Sequence, residues 1–167
     1  LAAVTRGGEI TAAQIAAESA KANAFFDQAF DENLARNPEQ MTVLGLKRDY
    51  DKWTDRSEAH AAEGLEIVKR QMADLKRAIN PEALNAQASV SYRLFLYEGE
   101  LAVEGWRWRN HAYELDQMDG VHSDAPAFLI AYHRIDDVAD ARAYIARLRG
   151  MGPLFDQTMA NLKVRQE

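Results

Sequence analysis

The sequence predicts an all-α fold, a multi-helix bundle of about five to seven helices. Three observations carry that expectation. Apolar residues recur at spacings of three and four along most of the chain. Thr, Asp and Asn stand where helices would start. The four prolines and nine glycines fall mostly between the periodic segments. No convincing pair of strands is visible. The 167 residues suit a single helical domain over 1–167, or the N-terminal segment of a larger domain.

Thr11-Ala12-Ala13-Gln14 reads as a capping box, the Thr hydroxyl taking one free amide and the Gln side chain reaching back to another. The helix it opens is expected to reach about Arg36, with Ile15, Ala22, Phe25, Phe26, Ala29 and Leu34 at near-helical spacing. Pro38 stops it, and Asn37-Pro38 opens a short turn, because proline fits the first helical position. Met41 to Leu46 is a brief apolar run, followed by a polar loop through Arg48, Asp49, Asp51 and Lys52. A second long helix is expected from about Asp55 to Ile79, with Leu65, Val68, Met72, Leu75 and Ile79 in one narrow stripe.

Asn80-Pro81-Glu82 ends that helix and caps a third, from about Pro81 to Asn110. Leu84, Ala88, Phe95, Ala102 and Trp106 lie along one side of it, with Leu94, Leu101 and Trp108 nearby, and so wide an apolar face predicts a central helix. Residues 110–124 break the pattern and read as an ordered loop. Asp124 is expected to cap a short helix containing Pro126, Phe128, Leu129 and Tyr132. Asp136 or Asp137 is expected to cap another, with Val138, Ala141, Tyr144, Ile145 and Leu148 inward. Gly150 and Gly152-Pro153 predict a break, and a last helix from Pro153 carries Leu154, Phe155, Met159 and Leu162.

Composition narrows the function classes. With 47% hydrophobic residues the chain can bury a core. Its net charge of −6 argues against a nucleic-acid platform, since phosphate binding rests on clustered Lys and Arg. The lack of cysteine excludes disulfides, thiol catalysis and Cys-ligated zinc. No apolar run of ~18 residues marks a transmembrane segment. The opening Leu1-Ala2-Ala3-Val4 fits the stretch left after a removed signal peptide, and equally an arbitrary boundary.

No P-loop, nucleophile-elbow or H-E-x-x-H motif occurs. His60 and Glu63, three apart on a helix, could face one metal ion, but a zinc site wants three or four ligands, and a solvated helix face explains the pair as well. Trp106-Arg107-Trp108-Arg109 suggests aromatic–cation stacking on a nucleic acid. Residues two apart on a helix point to different sides, so core tryptophans with arginines at the edge are the simpler reading. No metal or other cofactor is expected on this chain alone. The loop at 110–124 is the unusual feature, being polar yet studded with Tyr113, Leu115, Met118 and Val121. It reads either as a packed connection or as a segment lining a cleft.

The stretch Tyr113-Glu-Leu-Asp-Gln-Met-Asp-Gly-Val-His-Ser-Asp-Ala-Pro126 resembles a segment of the bacterial family catalogued as "domain of unknown function 885", which typically reads Y-x-x-N-Q-M-x-G-x-H-x-D-x-P. Asp140-Ala-Arg-Ala-Tyr-Ile-Ala-Arg-Leu148, Phe155-Asp-Gln-Thr-Met159, Phe25-Phe26-Asp27, Pro38-Glu39 and Leu44-Gly45 resemble other pieces of it, in the right order. The chain departs from the pattern at Asp116, where Asn is usual, and at Asp119, where Gly is common. The resemblance implies a helical protein several hundred residues long, similar to zinc metallopeptidases, with an H-E-x-x-H-type motif downstream of the region matched. It also implies a periplasmic or secreted location.

Two functions follow as expectations. In the first, the chain is the N-terminal helical region of such a protein, partnered by the remainder of the same polypeptide and inactive alone. It would form part of a cleft for a peptide substrate, with zinc bound by the full-length protein. Gln117, Gly120 and His122 are then the substrate-binding candidates: an amide hydrogen-bonder, a point of close backbone approach, and a ring donor or acceptor. In the second, the chain is a stand-alone bundle for protein–protein interaction, with the stripe from Leu65 to Ile79 as a dimer seam or, more simply, as intramolecular core. A gene continuing past Glu167 to an H-E-x-x-H would separate the two.

Overall fold

The structure, a computed structural model, describes residues 10–165. The opening Leu1–Val4 and the boundary at Glu167 lie outside the described residues. Six α-helices follow in order: α1 (Ala12–Leu34), α2 (Pro38–Val43), α3 (Glu58–Ala78), α4 (Ala86–Gly105), α5 (Val121–Ala131) and α6 (Val138–Val164), with no strand among the described residues. The fold is all-α. No helix among the described residues is long and apolar enough to cross a membrane.

Local chemistry explains most boundaries. The capping box at Thr11 forms as read, with Gln14 N–H on Thr11 Oγ1 at 3.2 Å and Thr11 N–H on Gln14 Oε1 at 2.8 Å. Asn37 caps α2, Ser57 caps α3 and Asn85 caps α4, each with a side-chain oxygen on a free helical amide. Asp137, one of the two candidates, caps α6 through the N–H of Asp140.

Three boundaries differ from expectation. Pro81–Ala83 forms only a 3-10 turn, so α4 starts at Ala86 and tightens into a second 3-10 stretch at Trp106–His111. Gly120, not Asp124, stands at the cap position of α5, which begins three residues before Asp124 and carries Pro126 inside it. Most tellingly, α6 runs unbroken through Gly150, Gly152 and Pro153. Gly150 serves contact rather than a break: a Cβ there would sit 3.0 Å from the Trp53 ring.

Packing divides into two regions. In the first, α1, α3 and α4 enclose Ala22, Leu75 and Ile79, with Phe25, Phe26, Tyr92, Phe95 and Leu96 against them. The stripe ending in Leu75 and Ile79 is therefore intramolecular core. Met72 of α3 packs against Gly99 of α4. α4 is not central: Val90, Leu94, Tyr97 and Leu101 stay exposed on its far side. In the second region, α5 and α6 enclose Val121, Ala125 and Leu154 with Trp53, Leu115, Met151 and Phe155. Here the inward face of α6 is not the one apolar counting picks. Val138, Ile145 and Leu148 are exposed, while Asp140, Arg147, Leu154 and Thr158 are buried.

Candidate functional site

The loop before α5 is held by its own polar groups. The Asp116 carboxylate accepts the N–H groups of Met118 and Asp119, both at 2.7 Å, and Asp116 N–H donates to the Asp119 carbonyl at 3.0 Å. These amides hold the Asp116 carboxyl below the usual range, and His122 adds to the effect. Gly120 has φ +134°, and a Cβ there would come within 2.5 Å of Leu115 Cδ2 and 3.2 Å of the Glu114 carbonyl. Glycine is needed here for the loop's own turn. Glu114 pairs with Arg165 at 2.6 Å, tying the loop to the end of α6. Leu115 turns inward, while Tyr113 is 92% exposed and Met118 76%.

Two clefts lie near this loop, one against α5 and one against Glu114 of the loop. One, of about 410 Å³, opens between α2, the segment 53–56 and α5, with Trp53, Phe128, Val43 and Ala125 as its apolar lining. Its charged groups are Glu39, Arg56 and Asp124. Glu39 is committed on one oxygen, which accepts the backbone N–H and the hydroxyl of Thr54. The Arg56 guanidinium makes no ion pair or hydrogen bond among the described residues, and its Nε is buried without a partner. A buried donor left unpaired costs ~1–3 kcal/mol. Asp124 is also without an ion pair among the described residues. The second cleft, of about 220 Å³, lies among Ser57, Trp106, Arg109, Glu114, Asn161 and Arg165, and Arg56 borders it too. There Arg109 pairs with Glu58 at 2.7 Å and stacks 4.4 Å over the Trp106 ring.

Gln117 and His122 are exposed, Gly120 is half-buried, and none of the three lines either cleft. The loop brings Gly120 and His122 together, since a Gly120 Cβ would lie 3.1 Å from His122 Nδ1. Trp106 is half-buried but Trp108 is exposed, with Arg107 5.0 Å over its ring, so the second tryptophan is not core.

Among the described residues no three His, Asp or Glu side chains stand together as a metal site. His60 and Glu63 are both taken by Arg36, through His60 Nδ1 at 3.1 Å and Glu63 Oε2 at 2.8 Å. The residues described here do not fit a zinc centre.

The deepest polar cluster is one that periodicity missed. Arg147 is fully buried, with no carboxylate among its hydrogen-bond partners. Its guanidinium donates to the carbonyls of Lys52 and Pro38, to Thr42 Oγ1 at 2.8 Å and to His133 Nδ1 at 3.0 Å. It also lies 5.0–5.6 Å from the ring centroids of Phe128, Tyr50 and Trp53. Since arginine can only donate, His133 Nδ1 accepts, and Nε2 donates to the Asp140 carbonyl at 3.2 Å. One neutral tautomer is thereby fixed. Burial lowers the His133 pKa, with the Arg147 charge adding to it. Lys47 grips the Asp140 carboxylate at 2.6 Å and, with the Asp136 N–H, keeps it ionised below the usual range. This cluster joins α2, the 47–53 loop and α6, and has the character of a structural keystone rather than a reaction centre. The readable signal was a seven-residue rhythm, Asp140, Arg147 and Leu154, on one face of α6.

A family model described as "Bacterial protein of unknown function (DUF885)" matches residues 38–167. None of the curated proteins and none of the solved structures compared with the chain matches it. The matched span holds α2 to α6, the Asp116 loop, nearly all of both clefts and the Arg147 cluster, far more than half of the chain, and this chain therefore belongs to the DUF885 family.

Proposed function

We propose that this chain is the N-terminal helical region of a longer, zinc metallopeptidase-like bacterial protein and supplies part of its peptide cleft. The observation that carries the reading is the 112–120 loop. Its backbone is tied down by Asp116, Gly120 and the Glu114–Arg165 pair, yet it presents Tyr113 and Met118 to solvent. Large apolar side chains held outward on an ordered loop suit a surface completed by another body. Gln117 stands on that loop and His122 in the first turn of α5 beside it, and both would hydrogen-bond a peptide backbone there. Any zinc ligands and the general base come from outside this chain, so the chain alone is inactive. A periplasmic or secreted location belongs to the same reading.

The test is His122→Ala, made both in this chain and in the longer gene product. An exposed side chain costs the fold little, within ~0.5 kcal/mol. Peptide turnover by the longer protein falls ~10²-fold if the ring acts on the transition state. A large drop in melting temperature with normal specific activity overturns the assignment.

The alternative, a bundle for protein–protein interaction, draws support from the exposed row Val90, Leu94, Tyr97 and Leu101 on α4. Those positions follow alternating steps of four and three, as helix-pairing faces do. Sedimentation of the chain as a stable dimer, lost on Leu94→Glu, would favour it.

A further inference from the structure

We propose that the 410 Å³ cleft between α2 and α5 binds a short zwitterionic peptide, with Arg56 taking its carboxylate, Asp124 its ammonium group, and Trp53 with Phe128 an apolar side chain. The ligand class rests on the peptide reading above; the site and its charges do not.

The argument starts from two unspent charges. Arg56 and Asp124 line one cleft, and neither has an ion-pair partner among the described residues. Elsewhere the protein neutralises its cleft arginines: Arg109 has Glu58 and Arg165 has Glu114. Arg56 has no such carboxylate. Its Nε is buried without a partner, and its terminal nitrogens make no hydrogen bond among the described residues. Those two nitrogens present the fork that suits a carboxylate.

A simple anion does not fit as well. Glu39 and Asp124 border the same space and would repel it, whereas a ligand carrying both signs satisfies Arg56 and Asp124 at once. The rest of the lining selects an apolar body. The Trp53 and Phe128 rings lie 5.5 Å apart at 58°, and Val43 and Ala125 extend that surface. Trp53 is fixed by its indole N–H on the Arg147 carbonyl at 2.8 Å, so the aromatic wall is built in advance. The volume falls within the ~300–1,000 Å³ range of small-molecule sites, enough for a dipeptide.

Calorimetric titration of the 167-residue chain with leucyl-phenylalanine, its C-terminal amide and its N-acetyl form tests this. The free dipeptide is expected to bind, and each cap to weaken it about tenfold, the usual scale for one charge-assisted contact. Arg56→Gln should erase the difference between acid and amide while leaving the effect of acetylation. Asp124→Asn should do the reverse. Arg56→Lys, which keeps the charge, should still prefer the acid. Circular dichroism checks each variant's fold, and should Arg56→Gln not fold, the acid–amide comparison on the unaltered chain still decides. Equal affinity for acid and amide, or no heat from any of the three at millimolar concentration, overturns the proposal. Such a failure is separable from failure of the peptide-cleft reading, because the His122→Ala assay reads turnover in the longer protein.

Discussion

The two cores of this molecule are built on opposite principles. Around Leu75, α1, α3 and α4 exclude water with aliphatic and aromatic side chains, the Phe25, Phe26 and Phe95 rings lying 5.7–6.1 Å apart. Around Arg147, the chain buries a cation and satisfies it with two carbonyls, a hydroxyl and an imidazole. The first core is non-directional and tolerates adjustment. The second specifies geometry, because each donor needs its acceptor in place. The apolar core fixes how helices pack; the polar one fixes how the irregular 47–57 segment sits on α6, and so positions Trp53 and Arg56 at the cleft.

The largest expected effect comes from breaking the polar core. Arg147→Ala leaves a cavity and four acceptors without their donor, three of those bonds fully buried, and should cost ~4–5 kcal/mol or prevent folding altogether. Leu75→Ala, at an equally buried site, should cost ~3 kcal/mol through lost contacts and a cavity. Urea denaturation of both variants measures the gap. An Arg147 variant as stable as the parent would refute the keystone role.

Acid should separate the cores next. His133 has a native pKa below its unfolded value of ~6.5, so as pH falls through that value the unfolded chain takes up a proton the native one refuses. Asp140 has a native pKa below ~3.9, so its contribution is present above that value and is lost as pH falls further. Both lower stability in acid, His133 first. In the double comparison, Leu75→Ala should keep the parent's pH profile, while His133→Gln should flatten the limb just below pH ~6.5. Melting temperatures across that range check it.

The same contrast explains what was legible in the sequence. Stripes such as Leu65 to Ile79 and the cap at Thr11 follow from local periodicity and local hydrogen bonds, which a sequence displays directly. The buried face of α6 is hidden in the sequence because it carries Asp140, Arg147 and Thr158, residue types that ordinarily face solvent. The break expected at Gly152-Pro153 does not occur. Flanking tertiary contacts, with Gly150 on Trp53 and the Trp53 indole on the Arg147 carbonyl, hold α6 through it. The segment 113–126 could be singled out from its mixed composition and its family resemblance. The cleft beside it could not, since Glu39, Arg56 and Asp124 meet only through tertiary packing.

A smaller effect tests the apolar core's tolerance. Gly99→Ala would place a Cβ 2.4 Å from Met72 Sδ and 2.8 Å from its Cγ. Methionine is flexible and can swing aside, and alanine favours the helix by ~1 kcal/mol over glycine. The net cost should be ~1 kcal/mol, and Gly99→Ala with Met72→Ala together should recover part of the clash energy. Additive losses in the pair would mean that the two side chains do not meet.

The smallest effect concerns Asp116, where the resemblance drawn from the sequence implies Asn. What the loop demands of this position is an oxygen that accepts the N–H groups of Met118 and Asp119. An asparagine carbonyl supplies that oxygen as well as a carboxylate does, and Asx turns are built from either. Asp116→Asn should therefore change stability by no more than ~0.5 kcal/mol, whereas Asp116→Ala, which leaves both amides unpaired, should cost ~1 kcal/mol. The two also differ with pH. The carboxyl is held below its usual range in the folded chain, so the Asp form loses its advantage as pH falls below ~3.9, and the Asn form has no such dependence. Amide exchange at Met118 and Asp119 reads the loop directly: protection should survive in the Asn variant and vanish in the Ala variant. Loss of protection in both would mean that charge, not acceptor geometry, orders the loop.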